Sequence, residues 1–186
     1  MELIGLYLIG CGLLVCAGVM KAARPDDTAR AVLPLLAGSP ALRSLPQLRR
    51  MVRLGAATEA ALGVVALVLP RPLTASLVAV SYVAFTGYVL YVRSRGGALT
   101  SCGCFGTPDG PPTILHATLT AGFAIAAVAV ATTAPGRGSM ATLLAQAPLH
   151  GAPLVALSAV GLWLTYLALT VLGRLQAVRH SAGATR

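Results

Sequence analysis

The run of residues that decides the fold lies near the start of the chain, where residues 3–22 read LIGLYLIGCGLLVCAGVMKA. Lys21 is the first charged residue of this run. A transmembrane helix needs about 20 mostly apolar residues, each rising 1.5 Å, so the run is long enough to cross a bilayer. Glu2, rather than a basic segment, precedes it, and we therefore expect a retained helix and not a cleaved signal peptide.

Four further stretches meet the same requirement of length and composition. They lie at about 52–69, 73–92, 113–133 and 152–172. The 186-residue chain is 56% hydrophobic and only 10% charged, whereas a soluble domain carries about 25% charged residues. The sequence therefore predicts a single all-α domain over residues 1–186, a polytopic transmembrane bundle of about five spans that has lipid as its main solvent.

The basic residues predict the orientation of this bundle. The net charge is +9, but the basic residues lie between apolar runs without interleaved aromatic residues, so we expect no nucleic-acid partner. They concentrate after the first, third and fifth spans. Because basic residues favour the cytoplasmic side, we expect the N-terminus outside and the C-terminus inside a bacterial cytoplasmic (inner) membrane. We expect segment 23–51 to form short helical pieces along the interface, near anionic lipid.

A pair of cysteines lies between the third and fourth predicted spans, where residues 101–106 read SCGCFG. A disulfide needs its two Cα atoms about 5.5 Å apart, which is shorter than an extended three-residue stretch, so the chain would turn at Gly103. Such a small ring is readily reduced, as an exchanging bond must be. Spacing alone leaves three interpretations of Cys102 and Cys104. They are an exchanging redox pair, packing residues, or ligands of a soft metal for which Cys16 and Met20 would be further ligands.

Two more cysteines lie within the first span. Cys11 and Cys16 are separated by five positions, or about 140° around a helix, and therefore cannot bond to each other. We expect Cys11 to be a packing residue. Cys16 lies nearer the Lys21 end, in the membrane half to which the Cys102–Cys104 turn belongs, and is either a packing residue or the resolving thiol of that pair.

Two residues are candidates for handling protons. Glu59 is the only acidic residue within a predicted span, and a carboxylate there usually points into the bundle at a partner. We expect either proton transfer or an ion pair with Lys21, Arg24 or Arg53. Gly55 and Gly63 share its helical face and are predicted to let another helix approach closely. His116 follows the cysteine loop and is expected to be a solvated polar residue, with a role as base as the functional alternative.

Together these features resemble the methylamine-utilisation protein MauE family, which is related to the DoxX-like four-helix membrane proteins. The resemblance rests on Lys21, on residues 55–59 (GAATE) and above all on residues 102–106 (CGCFG), and covers about residues 3–130. It implies a four-helix core to which the fifth span is an addition. It also implies a part in the maturation of methylamine dehydrogenase, whose small subunit is rich in disulfides, beside a thioredoxin-like partner in the cell envelope.

The resemblance implies membrane-embedded thiol–disulfide exchange with Cys102 and Cys104 as the exchanging pair. We expect no cofactor. A soft-metal transport or handling module and a non-catalytic assembly scaffold are the alternative functions. A partner outside the membrane conflicts with cysteines on the cytoplasmic side, so either electrons cross through a conformational change or a relay at Cys16, or the orientation is reversed, or the partner is cytoplasmic.

Overall fold

The computed structural model describes residues 3–33, 44–94, 113–133 and 148–183, and these ranges contain six helices. The helices are α1 (Leu3–Ala23), α2 (Pro25–Val32), α3 (Leu45–Val68), α4 (Pro72–Ser94), α5 (Ile114–Thr133) and α6 (Pro148–Gly183). Helices α1, α3, α4 and α5, together with Gly151–Val171 of α6, are long and apolar enough to cross a membrane. This confirms the predicted all-α bundle of five spans.

Four of the predicted spans agree with these five within two residues at each end, but the second does not. Helix α3 begins at Leu45, seven residues before the predicted start near Val52. Ser44 occupies the N-cap position with an extended backbone, and a proline follows in the first turn. This is a recognised signal for a helix start, and it precedes the apolar run that hydropathy detects. Glu59 is therefore in the middle of α3 rather than near its end.

The predicted interfacial segment contains α2, which packs against the first turns of α3. Asp26 of α2 forms an ion pair with Arg49 of α3, and Ala29 and Leu48 are buried beside it. Residues 34–43 of this segment lie outside the described residues, and residues 45–51 belong to α3. The placement of α2 along the membrane interface stays a prediction.

Helix α1 is the central helix, packed against α3, α5 and α6, while α4 packs against α5. The α1–α3 contact depends on two glycines. A Cβ atom on Gly18 would lie 2.6 Å from the carbonyl oxygen of Ala56, and one on Gly63 would lie 2.8 Å from that of Cys11. The two backbones therefore touch, as small residues permit in membrane helices. The pairing also shows that α1 and α3 run antiparallel.

The prediction that two glycines near Glu59 admit another helix is half correct. Gly63 is buried against α1 and confirms it. For Gly55 the prediction is wrong, because a Cβ atom there would have no neighbour within 4 Å. Gly55 lies on the exposed side of α3, turned away from the contact with α1.

Helix α6 packs along a different face of α1. Gly5 lies near Leu154, and Ile9 packs against Gly161. Position numbers rise together in the two helices, so α1 and α6 run parallel. That direction is what the first and fifth spans of an alternating bundle require.

Candidate functional site

An ion pair within the bundle joins α1 to α3. The Lys21 ammonium pairs with Oε2 of Glu59, and the two side chains are only 7% and 27% exposed. Lys21 is thus the partner of Glu59 among the three basic residues that the sequence offered. The other two, Arg24 and Arg53, have exposed side chains.

The Gly18 crossing explains why these two residues meet. The antiparallel register sets Glu59 about 6 Å deeper in the bundle than Lys21, at 1.5 Å per residue. Helical side chains tilt toward the N-terminus of their own helix. On antiparallel helices these tilts bring the Lys21 and Glu59 side chains toward each other. The long aliphatic chain of Lys21 then allows its ammonium group to reach the Glu59 carboxylate across the difference in depth.

A third helix also holds the ammonium group. Nζ of Lys21 lies 4.7 Å from the centroid of the Phe85 ring, which belongs to α4. A cation over an aromatic face is attracted by about 0.5–2 kcal/mol, with the larger values in desolvated places. Lys21 therefore ties α1 to both α3 and α4 at this end of the bundle.

Phe85 also forms part of the wall of a cavity of about 40 Å³. The cavity is enclosed by α1, α4, α5 and α6, and its lining residues are Leu13, Leu14, Ala17, Tyr82, Phe85, Val89, His116, Thr120, Phe123 and Leu169. Its volume is far below the roughly 300 Å³ at which pockets for small organic ligands begin. The space suits a side-chain movement better than an organic cofactor.

His116 is buried in the cavity wall at 4% exposure, so the expectation of a solvated residue is wrong. The ring lies in the first turn of α5, where Nδ1 is 2.9 Å from the Thr113 hydroxyl and accepts the Thr113 backbone N–H at 3.4 Å. The ring thus supplies one half of a capping box, since it accepts the Thr113 N–H while the His116 N–H donates to the Thr113 backbone carbonyl. A backbone N–H can only donate, so Nδ1 is the acceptor and the neutral ring carries its proton on Nε2.

Hydrogen bonds from α4 fix the walls around His116. The Tyr82 hydroxyl donates to the Gly10 carbonyl at 2.5 Å, and the Tyr82 ring packs on Phe123 with 5.3 Å between centroids. The hydroxyls of Thr86 and Thr120 lie 2.8 Å apart. These contacts join α4 to α1 and α5, so the cavity sits within a cross-linked part of the bundle.

The two cysteines of α1 differ in their surroundings. Cys11 is fully buried at the α1–α3 contact, which confirms the expected packing role. Cys16 is half-buried and level with Glu59, since neighbouring Val15 touches Gly63. The two therefore lie at one level of the bundle, and the prediction that they share a membrane half with Cys102 and Cys104 stays a prediction.

Cys16 nevertheless lies on another side of α1 from the polar cluster. By the helical period it continues the row that faces α6, to which Gly5 and Gly12 belong. Its position is about 140° around α1 from Lys21. Among the described residues that line the cavity, Cys16 does not occur.

Cys102 and Cys104 lie outside the described residues. They belong to the connection 95–112, which starts after Ser94 at the end of α4 and ends before Thr113. The soft-metal alternative at these cysteines therefore stays a prediction. Within the ranges described, no three His, Cys, Asp or Glu side chains are grouped so that they could hold a metal ion.

Sequence reasoning missed two residues of the site. Thr113 carried a usable signal, because a threonine after two prolines with an acceptor three positions later is typical of a helix start. Phe85 carried none: one aromatic residue in an apolar span does not indicate which cation will lie over it.

A family model described as "Methylamine utilisation protein MauE" matches residues 2–134. The match confirms the resemblance found in the sequence. No curated protein and no solved structure matches the chain significantly. The matched range contains α1 to α5 and the connection that carries Cys102 and Cys104, whereas α6 lies beyond it.

Proposed function

Because the chain belongs to the family of methylamine utilisation protein MauE, we propose that this multi-pass membrane protein carries out thiol–disulfide exchange through Cys102 and Cys104. It passes reducing equivalents to or from a thioredoxin-like partner in the cell envelope. The exchange serves the maturation of an envelope protein, and methylamine dehydrogenase is the substrate that the family suggests.

The exchange has two steps. A thiolate of the partner attacks one sulfur of the Cys102–Cys104 disulfide, a mixed disulfide forms, and the other cysteine leaves as a thiolate and takes up a proton. The partner's second thiolate then attacks the mixed disulfide. The partner is left oxidised, Cys102 and Cys104 are left as a dithiol, and two electrons have passed. The reverse sequence oxidises the pair.

The observation that carries the proposal is the grouping of Lys21, Glu59 and His116 at the end of the bundle where the cysteine connection is anchored. His116 bonds to Thr113, the residue at which that connection ends. Lys21 lies over Phe85, whose ring lines the same cavity as His116. Ionisable groups within spans are energetically costly and commonly mark a functional site, and here they lie at the end of the bundle where α4 ends and α5 begins.

We assign the proton transfers to Glu59 and His116. A thiol must lose its proton before it attacks, and an exchanging pair inside a membrane needs a nearby group to take that proton. The Glu59 carboxylate can accept that proton at the expense of its ion pair with Lys21, whose ammonium group then keeps its contact with the Phe85 ring. Cys16 remains the candidate resolving thiol. To exchange with it, Cys102 or Cys104 would have to approach α1 from the side that faces α6.

The test is capture of the partner by single-cysteine variants in native membranes. Cys102→Ser and Cys104→Ser each leave one thiol that cannot complete the exchange, so one of them should hold a thioredoxin-like protein in a mixed disulfide. The complex is detected on non-reducing gels and identified by mass spectrometry. Cys11→Ser is the matched control, because Cys11 is a buried packing residue and its loss should capture nothing.

Two further readouts decide between the alternatives. A membrane-impermeant maleimide, applied before and after reduction, reports whether Cys102 and Cys104 form a disulfide and which side they face. If the Cys102→Ser/Cys104→Ser double variant supports maturation as well as the unchanged protein, the thiol mechanism is wrong and a scaffold remains. Stoichiometric copper or zinc on the reduced protein, without any mixed disulfide, would instead indicate metal handling.

A further inference from the structure

One exposed stripe of α3 is apolar over most of its length and basic at one end. From Leu54 to the end of the helix the stripe is apolar, with exposed residues Leu54, Ala57, Ala61, Val64, Val65 and Val68. Arg50 and Arg53 continue the same stripe in the other direction and are also exposed. A stripe that faces lipid must stay apolar along the acyl chains. Its change to guanidinium groups therefore marks the level of the lipid headgroups.

The acidic residues nearby are already engaged by other arginines. Asp26 pairs with Arg49, and Asp27 lies 4.0 Å from Arg30 within α2. Among the residues described, Arg24, Arg50 and Arg53 form no ion pair. Within the part of the chain that the structure describes, three guanidinium groups at one end of the bundle thus have no acidic partner and can bind an external anion.

The register of α1 and α3 brings these arginines to one level. Gly18 lies opposite Ala56 and Ala60, so the antiparallel helices place Arg24 opposite the Val52–Arg53 turn. Arg50 follows one turn further along α3. The three arginines, which we call the arginine corner, therefore share the end of the bundle where α1 ends and α2 packs against α3.

We infer that the arginine corner binds the headgroup phosphate of an anionic phospholipid. A guanidinium group presents a planar fork of N–H donors that fits phosphate oxygens, and two such forks on one helical stripe can hold one headgroup. Met51 and Leu54 are exposed beside them and would contact the acyl chains of the same lipid. The inference does not depend on thiol exchange.

The electrostatic attraction between basic residues and an anionic leaflet sets how much the arginines should strengthen lipid binding. Each arginine near the surface should strengthen binding about five-fold, so three together should strengthen it about a hundred-fold. The binding must weaken as salt is added, because headgroup contacts of this kind are screened.

The experiment measures the affinity of the full-length protein, purified in a neutral detergent, for a fluorescent phosphatidylglycerol. Phosphatidylcholine with the same fluorophore and acyl chains is the reference lipid. We expect the unchanged protein to prefer phosphatidylglycerol, each of Arg24→Gln, Arg50→Gln and Arg53→Gln to weaken that binding about five-fold, and the triple variant to lose the preference. Arg71→Gln is the matched control, since Arg71 is an exposed arginine at the opposite end of α3 and should change the affinity less than two-fold.

Three results would overturn the inference. They are equal affinity of the unchanged protein for the two lipids, a triple variant that binds phosphatidylglycerol as tightly as Arg71→Gln does, and displacement of the lipid by millimolar inorganic phosphate. The single variants, checked by thermal unfolding in detergent, keep the test decisive if the triple variant does not fold.

Discussion

Glu59→Gln and Lys21→Met, made singly and together, measure how much the buried ion pair stabilises the bundle. Glu59→Gln keeps the size of the side chain and removes its charge. The Lys21 ammonium, in a side chain only 7% exposed, would then keep its charge without the carboxylate, although the Phe85 ring remains over it. Lys21→Met leaves the opposite charge at Glu59, whose side chain is 27% exposed.

The burial of the two partners sets the expected magnitudes. Removing one partner of a fully buried pair costs about 3–5 kcal/mol, because the other charge is left uncompensated. The remaining contact with Phe85 offsets about 1 kcal/mol of that cost, which leaves about 2–4 kcal/mol, so we expect Glu59→Gln to lower the free energy of unfolding by at least about 2 kcal/mol. Lys21→Met should cost a similar amount, about 2 kcal/mol, because Glu59 lies beyond Leu54, at the level of the acyl chains, where its exposed fraction does not meet water.

The assay is reversible unfolding in mixed micelles as the fraction of a denaturing detergent rises, followed by circular dichroism. The double variant removes both charges and should cost less than the sum of the single changes, with a coupling of at least about 1 kcal/mol. Arg53→Gln is the matched control for loss of a basic residue, because Arg53 was a candidate partner of Glu59 and is exposed. Its effect should stay within about 0.5 kcal/mol.

Two results would refute this reasoning. Single effects no larger than that of Arg53→Gln would show that the pair stabilises nothing. Additive single effects would show that Lys21 and Glu59 do not act on each other. Either result would also remove the structural support for placing proton transfer at Glu59.

Two further predictions use the same unfolding assay. Gly18→Leu should destabilise the bundle by more than about 3 kcal/mol, because its side chain would meet the backbone of α3, whereas Gly55→Leu, the control in open space, should change stability by less than about 0.5 kcal/mol. Tyr82→Phe removes the hydrogen bond to the Gly10 carbonyl and should cost about 1 kcal/mol. A Gly18→Leu variant as stable as Gly55→Leu would contradict the close α1–α3 contact, and an unchanged Tyr82→Phe variant would contradict the bond.

The sequence predicts the spans well because one physical quantity, the apolar length needed to cross lipid, decides them. The same quantity explains the one wrong boundary. Hydropathy detects contact with lipid and not helicity, so it starts the second span near Val52, next to Arg53, the last basic residue before the apolar run. The helix itself starts at Leu45, because its capping residues precede the lipid level.

The site is predicted only in part, because its contacts depend on the register between helices. The sequence offers Lys21, Arg24 and Arg53 as partners for Glu59 on equal terms, and only the Gly18 crossing selects Lys21. His116 appears solvated from its position next to a loop. It is buried because the first turn of α5 packs into the bundle beside α4, an arrangement that no local pattern encodes.

The faces of α1 constrain how the proposed chemistry can run. One face, with Cys11 and Gly18, is closed by contact with α3, and the face with Lys21 turns to the cavity and to Phe85. Cys16 occupies the row toward α6. Turning Cys16 to the polar cluster would rotate α1 by about 140° and separate Gly18 from the α3 backbone, so the packed helix opposes it. Proton transfer at Glu59 and a resolving thiol at Cys16 would therefore act on different sides of one packed helix, about 140° apart.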